Sequence, residues 1–446
     1  MTPYSERRAR LMAQMQAMGG GVAVIPTALE AMRNSDADYP YRHDSHFYYL
    51  SGFTEPDAVL VLIASSQQQA ILFCREKDKE REIWDGYRYG PEDAKAAFGF
   101  DAAHPIGKLD GDMADILSDA PALFYAIGRD TKLETQVQSW LAAVRAKSRS
   151  GVQAPAQFHD ILPLIDDMRL FKDEAEVALM RQAAAISSGA HARAMRASRP
   201  GVREYEIEAE LLHEFRRCGS PSPAYNSIVA AGANACVLHY PAGSAEARDG
   251  DLILIDAGCE YGSYASDITR TYPVNGSFSA PQKALYEIVL AAQAAAIDAI
   301  KPGARFIDPH NAALAVLVQG MLDTGLLDQS KYASLEAAIA SNDYRRFYMH
   351  RTSHWLGMDV HDVGDYYEAG DKLADGTKAW RVLKPGMVLT VEPGLYVRPA
   401  DDVPEQYWNI GIRIEDDVLV TADGCEVLSH AAPKTVAEIE TLMQSR

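Results

Sequence analysis

Cysteine is scarce in this chain. Five are spread over 446 residues, at Cys74, Cys218, Cys236, Cys259 and Cys425, and no two form a CxxC pair. An odd, scattered set of that kind excludes a disulfide framework and a thiolate zinc site, and fits reduced thiols in a cytosol. Long apolar runs are missing too. No segment approaches about 18 apolar residues, so no transmembrane helix is expected. The charged, amphipathic stretch 1–20 lacks the apolar core of a signal peptide, and a cytoplasmic location is expected. Positive charge is also in deficit: 43 Lys and Arg stand against 62 Asp and Glu, for a net charge of −19. That disfavours nucleic acid and anionic membranes as partners. No low-complexity segment is present.

What is there reads as a folded globular protein, 48% apolar and 24% charged, and long enough for two domains. The first part predicts strands at 21–26, 45–50, 58–63 and 70–74, alternating with helices at 91–98 and 131–147. A Ser-, Gly- and Pro-rich stretch at 148–155 marks a boundary, and residues 162–171 connect to the second part. There the helical spacing of apolar residues predicts helices over 173–197, 205–217, 281–300 and 307–325. Each half of this part shows two helices followed by strands that end in acids: Asp256 and Asp267 in the first, Glu392 and Glu415 in the second.

The stretch 251–272 is central. Leu252 to Ile255 is an unbroken aliphatic run, read as a buried strand, and Thr269, Thr271 and Tyr272 favour a second. A hairpin centred on Tyr261 and Gly262 places Asp256 directly opposite Asp267, with Cβ atoms roughly 5 Å apart. Two desolvated carboxylates that close require a shared proton or an intervening cation. With the turn elsewhere, both are solvated strand-end acids. Glu392 is held extended at a strand end by Pro393. Residues 409–420 alternate at period two, so that Gly411, Arg413 and Glu415 share a face; alone, Arg413 and Glu415 also fit a surface ion pair. His350, His354 and His361 fall within twelve residues. The i,i+4 spacing of His350 and His354 suits one helix face, although the HExxH glutamate is absent. His239 is a fourth candidate; a lone histidine is more often a satisfied polar residue. Two Asp, two Glu and one His form an oxygen-rich set suited to Mn²⁺, Co²⁺ or Zn²⁺ in pairs. Four carboxylates match the charge of two divalent ions. Such a pair activates water for attack on an amide or ester.

The pieces Ile255-Asp-Ala-Gly258, Ser266-Asp-Ile-Thr-Arg-Thr271, Ser353-His-Trp-Leu-Gly357, Val360-His-Asp-Val-Gly364, Glu392-Pro-Gly-Leu-Tyr396 and Gly411-Ile-Arg-Ile-Glu-Asp416 closely resemble the Xaa-Pro aminopeptidase (aminopeptidase P) family. Asp38-Tyr-Pro-Tyr-Arg42, Gly52-Phe-Thr-Glu-Pro56 and Glu82-Ile-Trp84 extend the resemblance into the first part. It implies an α/β (α+β) protein with a pita-bread catalytic domain over 166–446, two αββ-type halves around a dinuclear centre, and a smaller creatinase-like α/β domain over 1–165. It implies that Asp256 chelates one metal, Asp267 and Glu415 bridge both, and His354 and Glu392 hold the other, with Mn²⁺ first and Co²⁺ or Zn²⁺ as alternatives. Glu392 also accepts a proton from the attacking water, His361 stabilises the tetrahedral intermediate, and His239 and His350 line the substrate site. Tyr396 and Arg413 serve as ligand-supporting or proline-pocket groups. Trp84 caps the site, from a neighbouring subunit of a dimer or tetramer. The implied reaction releases the N-terminal residue from peptides with proline in position two. Prolidase, acting on Xaa-Pro dipeptides, is the nearest alternative and needs a cap for the substrate carboxylate. Creatinase-like hydrolysis and a catalytically dead binding module both predict lost ligands, whereas all five are present. The pair Arg351-Thr352 departs from the smaller, glycine-containing pair expected of the family.

Overall fold

A computed structural model describes residues 3–373 and 376–445 of the chain. It divides into two compact units, Met1–Met168 and Arg169–Arg446.

The first unit begins with helix α1 (Pro3–Ala17) and strand β1 (Gly21–Pro26), followed by a small hairpin of β2 (Met32–Asn34) and β3 (Ala37–Asp38). Then come α2 (Ser45–Ser51), β4 (Val59–Ala64), β5 (Gln69–Cys74), α3 (Lys79–Asp85), α4 (Gly90–Phe98), β6 (Ala102–Pro105), α5 (Leu109–Ile116), β7 (Ala122–Tyr125), α6 (Thr131–Ala146) and β8 (Gln157–Asp160). Six strands form one sheet in the order β6-β5-β4-β1-β7-β8. The pairs β1–β4 and β4–β5 are antiparallel and the others parallel. Arg8 is buried on α1. It donates to the carbonyls of Leu50, Phe98 and Gly99, which the ends of α2 and α4 leave without intrahelical partners.

Two expectations fail in this unit. Residues 45–50 are a helix, not a strand. The Asp44 side chain accepts from the Phe47 N–H, and Gly52 closes the helix at φ 69°, so the capping chemistry overrides the strand preference of Phe47, Tyr48 and Tyr49. The stretch 148–155 is a turn inside the unit, because β8 follows it into the same sheet. Helix α7 (Leu162–Leu170) comes next. His46 bonds to Asp166 at 2.7 Å and the Tyr49 hydroxyl donates to the Met168 carbonyl, so the compact unit extends to residue 168 rather than 165.

The second unit has the duplicated order. Helices α8 (Glu174–Ala197) and α9 (Glu204–Arg217) precede β9 (Ser222–Pro223), β10 (Ile228–Ala231), β11 (Leu252–Asp256), β12 (Cys259–Tyr261), β13 (Tyr264–Ala265) and β14 (Thr269–Pro273). Helices α10 (Ala280–Asp298), α11 (Asp308–Asp323) and α12 (Leu335–Ser341) precede β15 (Tyr367–Lys372), β16 (Lys378–Trp380), β17 (Val388–Val391), β18 (Gly394–Val397), β19 (Ile410–Arg413), β20 (Asp416–Val420) and β21 (Cys425–Val427), before α13 (Val436–Gln444). Corresponding sheets run β10-β11-β14 and β17-β20-β21. Both helix pairs pack on one core that includes Ile255, Val289, Leu317, Leu389 and Ile412. The 409–420 run is two strands broken at Ile414 and Glu415, not one.

The hairpin register differs from expectation by one turn position. Tyr261 pairs with Tyr264, and Gly262 and Ser263 both take positive φ, the two-residue turn that matches strand twist. Asp256 is therefore opposite Thr269, not Asp267. Asp267 lies two residues before Thr269, in the segment that leads into β14, and both acids line the same cavity. Gly258 is needed here: a Cβ on it would sit 1.8 Å from the Ser266 carbonyl oxygen.

Candidate metal centre

Five elements of sequence meet over a cavity of about 580 Å³ in the second unit, walled in part by Asp256, Asp267, His354, Glu392 and Glu415. Asp256 ends β11, Asp267 precedes β14, Glu392 follows β17 and Glu415 precedes β20. The β17–β20 register pairs Val391 with Asp416, which sets Glu392 opposite Glu415 one step on. His354 arrives on an extended segment. Leu356 donates to the Val388 carbonyl, Thr390 to the His354 carbonyl and Glu392 to the Thr352 carbonyl, so residues 352–356 run along β17, with an isolated bridge pairing Trp355 and Leu389. The helix expected from the His350–His354 spacing is not formed. Buried Trp355 and Leu356 and the pairing with β17 make this segment part of the core instead.

Ligand atoms of Asp267, His354 and Glu415 all lie within 4.8 Å of one another, the one such grouping found among the described residues. His354 Nε2 is 3.4 Å from Asp267 Oδ2 and 3.8 Å from Glu392 Oε1. Its Nδ1 donates to the Trp355 carbonyl at 2.9 Å, which leaves Nε2 as the atom facing the acids. Asp256 joins through Tyr225, whose hydroxyl lies 2.7 Å from Asp256 Oδ1 and 2.5 Å from Asp267 Oδ1. Arg413 Nη2 donates to Asp256 Oδ2 at 2.7 Å, and its Nη1 to the Tyr396 hydroxyl at 2.9 Å. Thr269 donates to Glu415 Oε2 at 2.7 Å. Behind the site, the Asp267 N–H donates to the buried Asp417 carboxylate at 3.1 Å.

The remaining residues separate by exposure. His350 Nδ1 donates to the Arg351 carbonyl, and its Nε2 is 2.8 Å from the Tyr396 hydroxyl. Tyr396 is buried between His350 and Arg413. His239 and His361 are exposed on the cavity wall, the His361 ring 4.3 Å from that of His354. Trp84 belongs to the first unit, on α3, and is 83% exposed.

The model of metallopeptidase family M24 matches residues 178–422, and that of the aminopeptidase P N-terminal domain matches 4–125. The chain belongs to metallopeptidase family M24. The Xaa-Pro aminopeptidase of Escherichia coli K12 is 43% identical over 442 residues, 99% of this chain and 97% of that protein. Aminopeptidase PepP of Pseudomonas aeruginosa superposes with a TM-score of 0.94 at 48% identity, over 99% of this chain and 97% of that one. Proline aminopeptidase P II from Yersinia pestis does so at 0.93 and 44%, over the whole of both chains. With these likenesses, the second unit is the pita-bread domain of an M24 peptidase and the first an aminopeptidase P N-terminal domain.

The donor set of this M24 peptidase fits divalent metal ions. Burial raises the Asp256 carboxyl, against the pull of Arg413 and with the push of Asp267. Burial and neighbouring acids take Glu392 up to about 7 and Glu415 well above the usual range. Burial alone would lower the His354 imidazole and raise Asp267. Their mutual hydrogen bond wins, taking His354 up to about 9 and holding Asp267 below the usual range. Four carboxylates and one imidazole so crowded cannot all hold their metal-ligating charge state without cations among them. Tyr225, Thr269 and Asp417 escaped the sequence reading. Each acts on a partner far along the chain, across the fold: Tyr225 on Asp256 and Asp267, Thr269 on Glu415 and Asp417 on Asp267.

Proposed function

We propose that this M24 peptidase removes the N-terminal residue from peptides with proline in position two. The observation that carries this reading is the convergence of Asp256, Asp267, His354, Glu392 and Glu415 from four strand ends and one extended segment. The full-length likeness to named Xaa-Pro aminopeptidases supplies the substrate class.

In this reading Asp256, Asp267, His354, Glu392 and Glu415 would together hold two divalent ions; Mn²⁺ is the preferred ion, with Co²⁺ or Zn²⁺ as substitutes. Bound ions supply Lewis acidity and a water of lowered pKa. The chain's own residues supply the rest. Glu392 takes a proton from the attacking water and delivers it to the departing proline nitrogen, which carries no hydrogen of its own. His361, on the cavity wall, donates to the oxygen of the attacked carbonyl. His239 and His350 line the space for substrate, and Tyr396 with Arg413 fixes the His350 ring and the Asp256 carboxylate. The protein is proposed to be cytoplasmic, and no helix among the described residues is long and apolar enough to cross a membrane. Ile83, Trp84 and Tyr87 stand exposed together around α3, which fits cover by a second copy in a dimer or tetramer, with Trp84 capping a neighbour's site.

Cleavage of Ala-Pro-Ala, Ala-Ala-Ala and Ala-Pro by the Mn²⁺-loaded protein, before and after chelation, tests this. The expected result is rapid, chelator-sensitive release of alanine from Ala-Pro-Ala alone. Preference for Ala-Pro would make the protein a prolidase, and unchanged activity after thorough metal removal would overturn the reading.

A further inference from the structure

A second cavity, of about 270 Å³, adjoins the metal cavity and shares His350 and Arg351 with it. Its polar wall is cationic. Arg345, Arg351 and His310 line it with Tyr348, and no acidic side chain does. That is unexpected beside a four-carboxylate cluster in a chain of net charge −19. Among the described residues neither guanidinium has a carboxylate partner; both are exposed. Arg351 is held in another way. Its guanidinium lies 4.9 Å from the centre of the Trp380 ring, which itself stacks on Tyr367 at 4.3 Å. The aromatic rings of the β15–β16 hairpin thus hold the Arg351 guanidinium, whose N–H donors are available to a planar anion. The His310 imidazole is lowered to about 4, first by burial and then by Arg351 and Arg345, whose charges are therefore felt in the same space. Neutral His310 bonds to the hydroxyl of buried Thr352 at 2.9 Å, so Arg351 lines the pocket while Thr352 stands behind its His310 wall.

We propose that Arg345 and Arg351 form a carboxylate subsite beside the metal cavity, taking the charge of a short peptide's C-terminus or of an acidic side chain just after the proline. The inference rests on the aminopeptidase reading above and adds to it a preference among proline peptides. A guanidinium on the rim offsets the repulsion that an anionic substrate meets on approaching an acidic protein, and its bonds to the carboxylate lower KM rather than raise kcat.

The test measures kcat and KM of the Mn²⁺-loaded protein and of Arg351→Gln on four peptides: Ala-Pro-Ala, its C-terminal amide, Ala-Pro-Glu-amide and Ala-Pro-Gln-amide. In the wild-type chain one charged member, the free acid or the Glu peptide, should be preferred over its neutral counterpart by about tenfold, through KM, as a partly exposed charge-assisted hydrogen bond allows. Whichever pair shows the preference identifies the source of the carboxylate. Arg351→Gln should abolish that preference and Arg351→Lys should keep part of it. Equal rates on charged and neutral partners in the wild type, or a preference that survives Arg351→Gln, would overturn the subsite. Failure of the underlying reading has a different signature: the wild-type protein would cut none of the four.

Discussion

At the scale of the residue, the proposed metal ligands and the side chains that support them were not equally legible. Asp256, Asp267, Glu392 and Glu415 sit at strand ends beside turns or proline, and His354 in a run of three histidines, patterns that one stretch of sequence displays. Tyr225 has no such pattern, yet its hydroxyl bridges two of the acids at 2.7 and 2.5 Å. Tyr225→Phe should leave the fold intact and cost about ten- to a hundredfold in metal affinity or kcat/KM, the usual loss when a group orienting a ligand is removed. A metal titration with peptide turnover decides it, and unaltered affinity and rate would reject the orienting role. His191 makes a different claim. It is fully buried on α8 and donates from Nε2 to the Ala257 carbonyl, directly after Asp256. Burial holds its imidazole down to about 4 against 6.5 for a free histidine. Above pH 6.5 neither state is protonated there. Below it the unfolded chain binds a proton that the native chain refuses, so stability falls between pH 6.5 and 4, by up to about 3 kcal/mol. His191→Gln should flatten that part of the urea-unfolding profile relative to wild type; parallel profiles would remove His191 from the account.

At the scale of the element, composition misled where a cap or a turn decided. The segment 45–50 carries Phe and Tyr and reads as a strand, but Asp44 before it and Gly52 after it close a helix. The i,i+4 histidines read as a helix face, but pairing with β17 keeps residues 352–356 extended. The hairpin after β11 was legible as a hairpin and wrong in register. Periodicity fixes which face a side chain takes, whereas the positive φ at Gly262 and Ser263 fixes the partner. Both acids line one cavity all the same. The approach of Gly258 to the Ser266 carbonyl is the contact that lets the two acid-bearing segments come together. Gly258→Ala has to move backbone, not a flexible side chain. It should cost about 2 kcal/mol or more and weaken metal binding with it. Gly424→Ala, at a glycine whose added Cβ would meet nothing within 4 Å and which needs no positive φ, is the comparison. Equal denaturation midpoints for the Gly258 variant and wild type would show that the hairpin tolerates the displacement.

At the scale of the whole molecule, the duplicated order was visible as two runs of helix, helix and acid-ended strands, but not the way the two halves share one centre. That sharing is long-range. Asp256 is tied to Arg413 and Asp267 to Asp417, each across 150 residues or more of sequence, and no local pattern reports it. Its energetic consequence is testable without any substrate. In the metal-free chain burial and mutual repulsion raise the Asp256, Glu392 and Glu415 carboxyls, and divalent ions should bind the clustered acids of the native second unit and not the unfolded chain. Mass action then stabilises it by about 2.7 kcal/mol when free metal is a hundred times the dissociation constant, a rise of about 5 °C in Tm for a unit of this size. Scanning calorimetry with increasing Mn²⁺ should show the rise growing with concentration and disappearing under chelator. In Asp267→Asn, which loses a carboxylate proposed to hold the ions, it should shrink to near zero. The cluster lies in residues 169–446, so where the two units melt separately, only the transition of the second should move. A shift confined to the first unit, or one of equal size in Asp267→Asn, would place the stabilising ions elsewhere in the molecule and separate this centre from the stability of the fold.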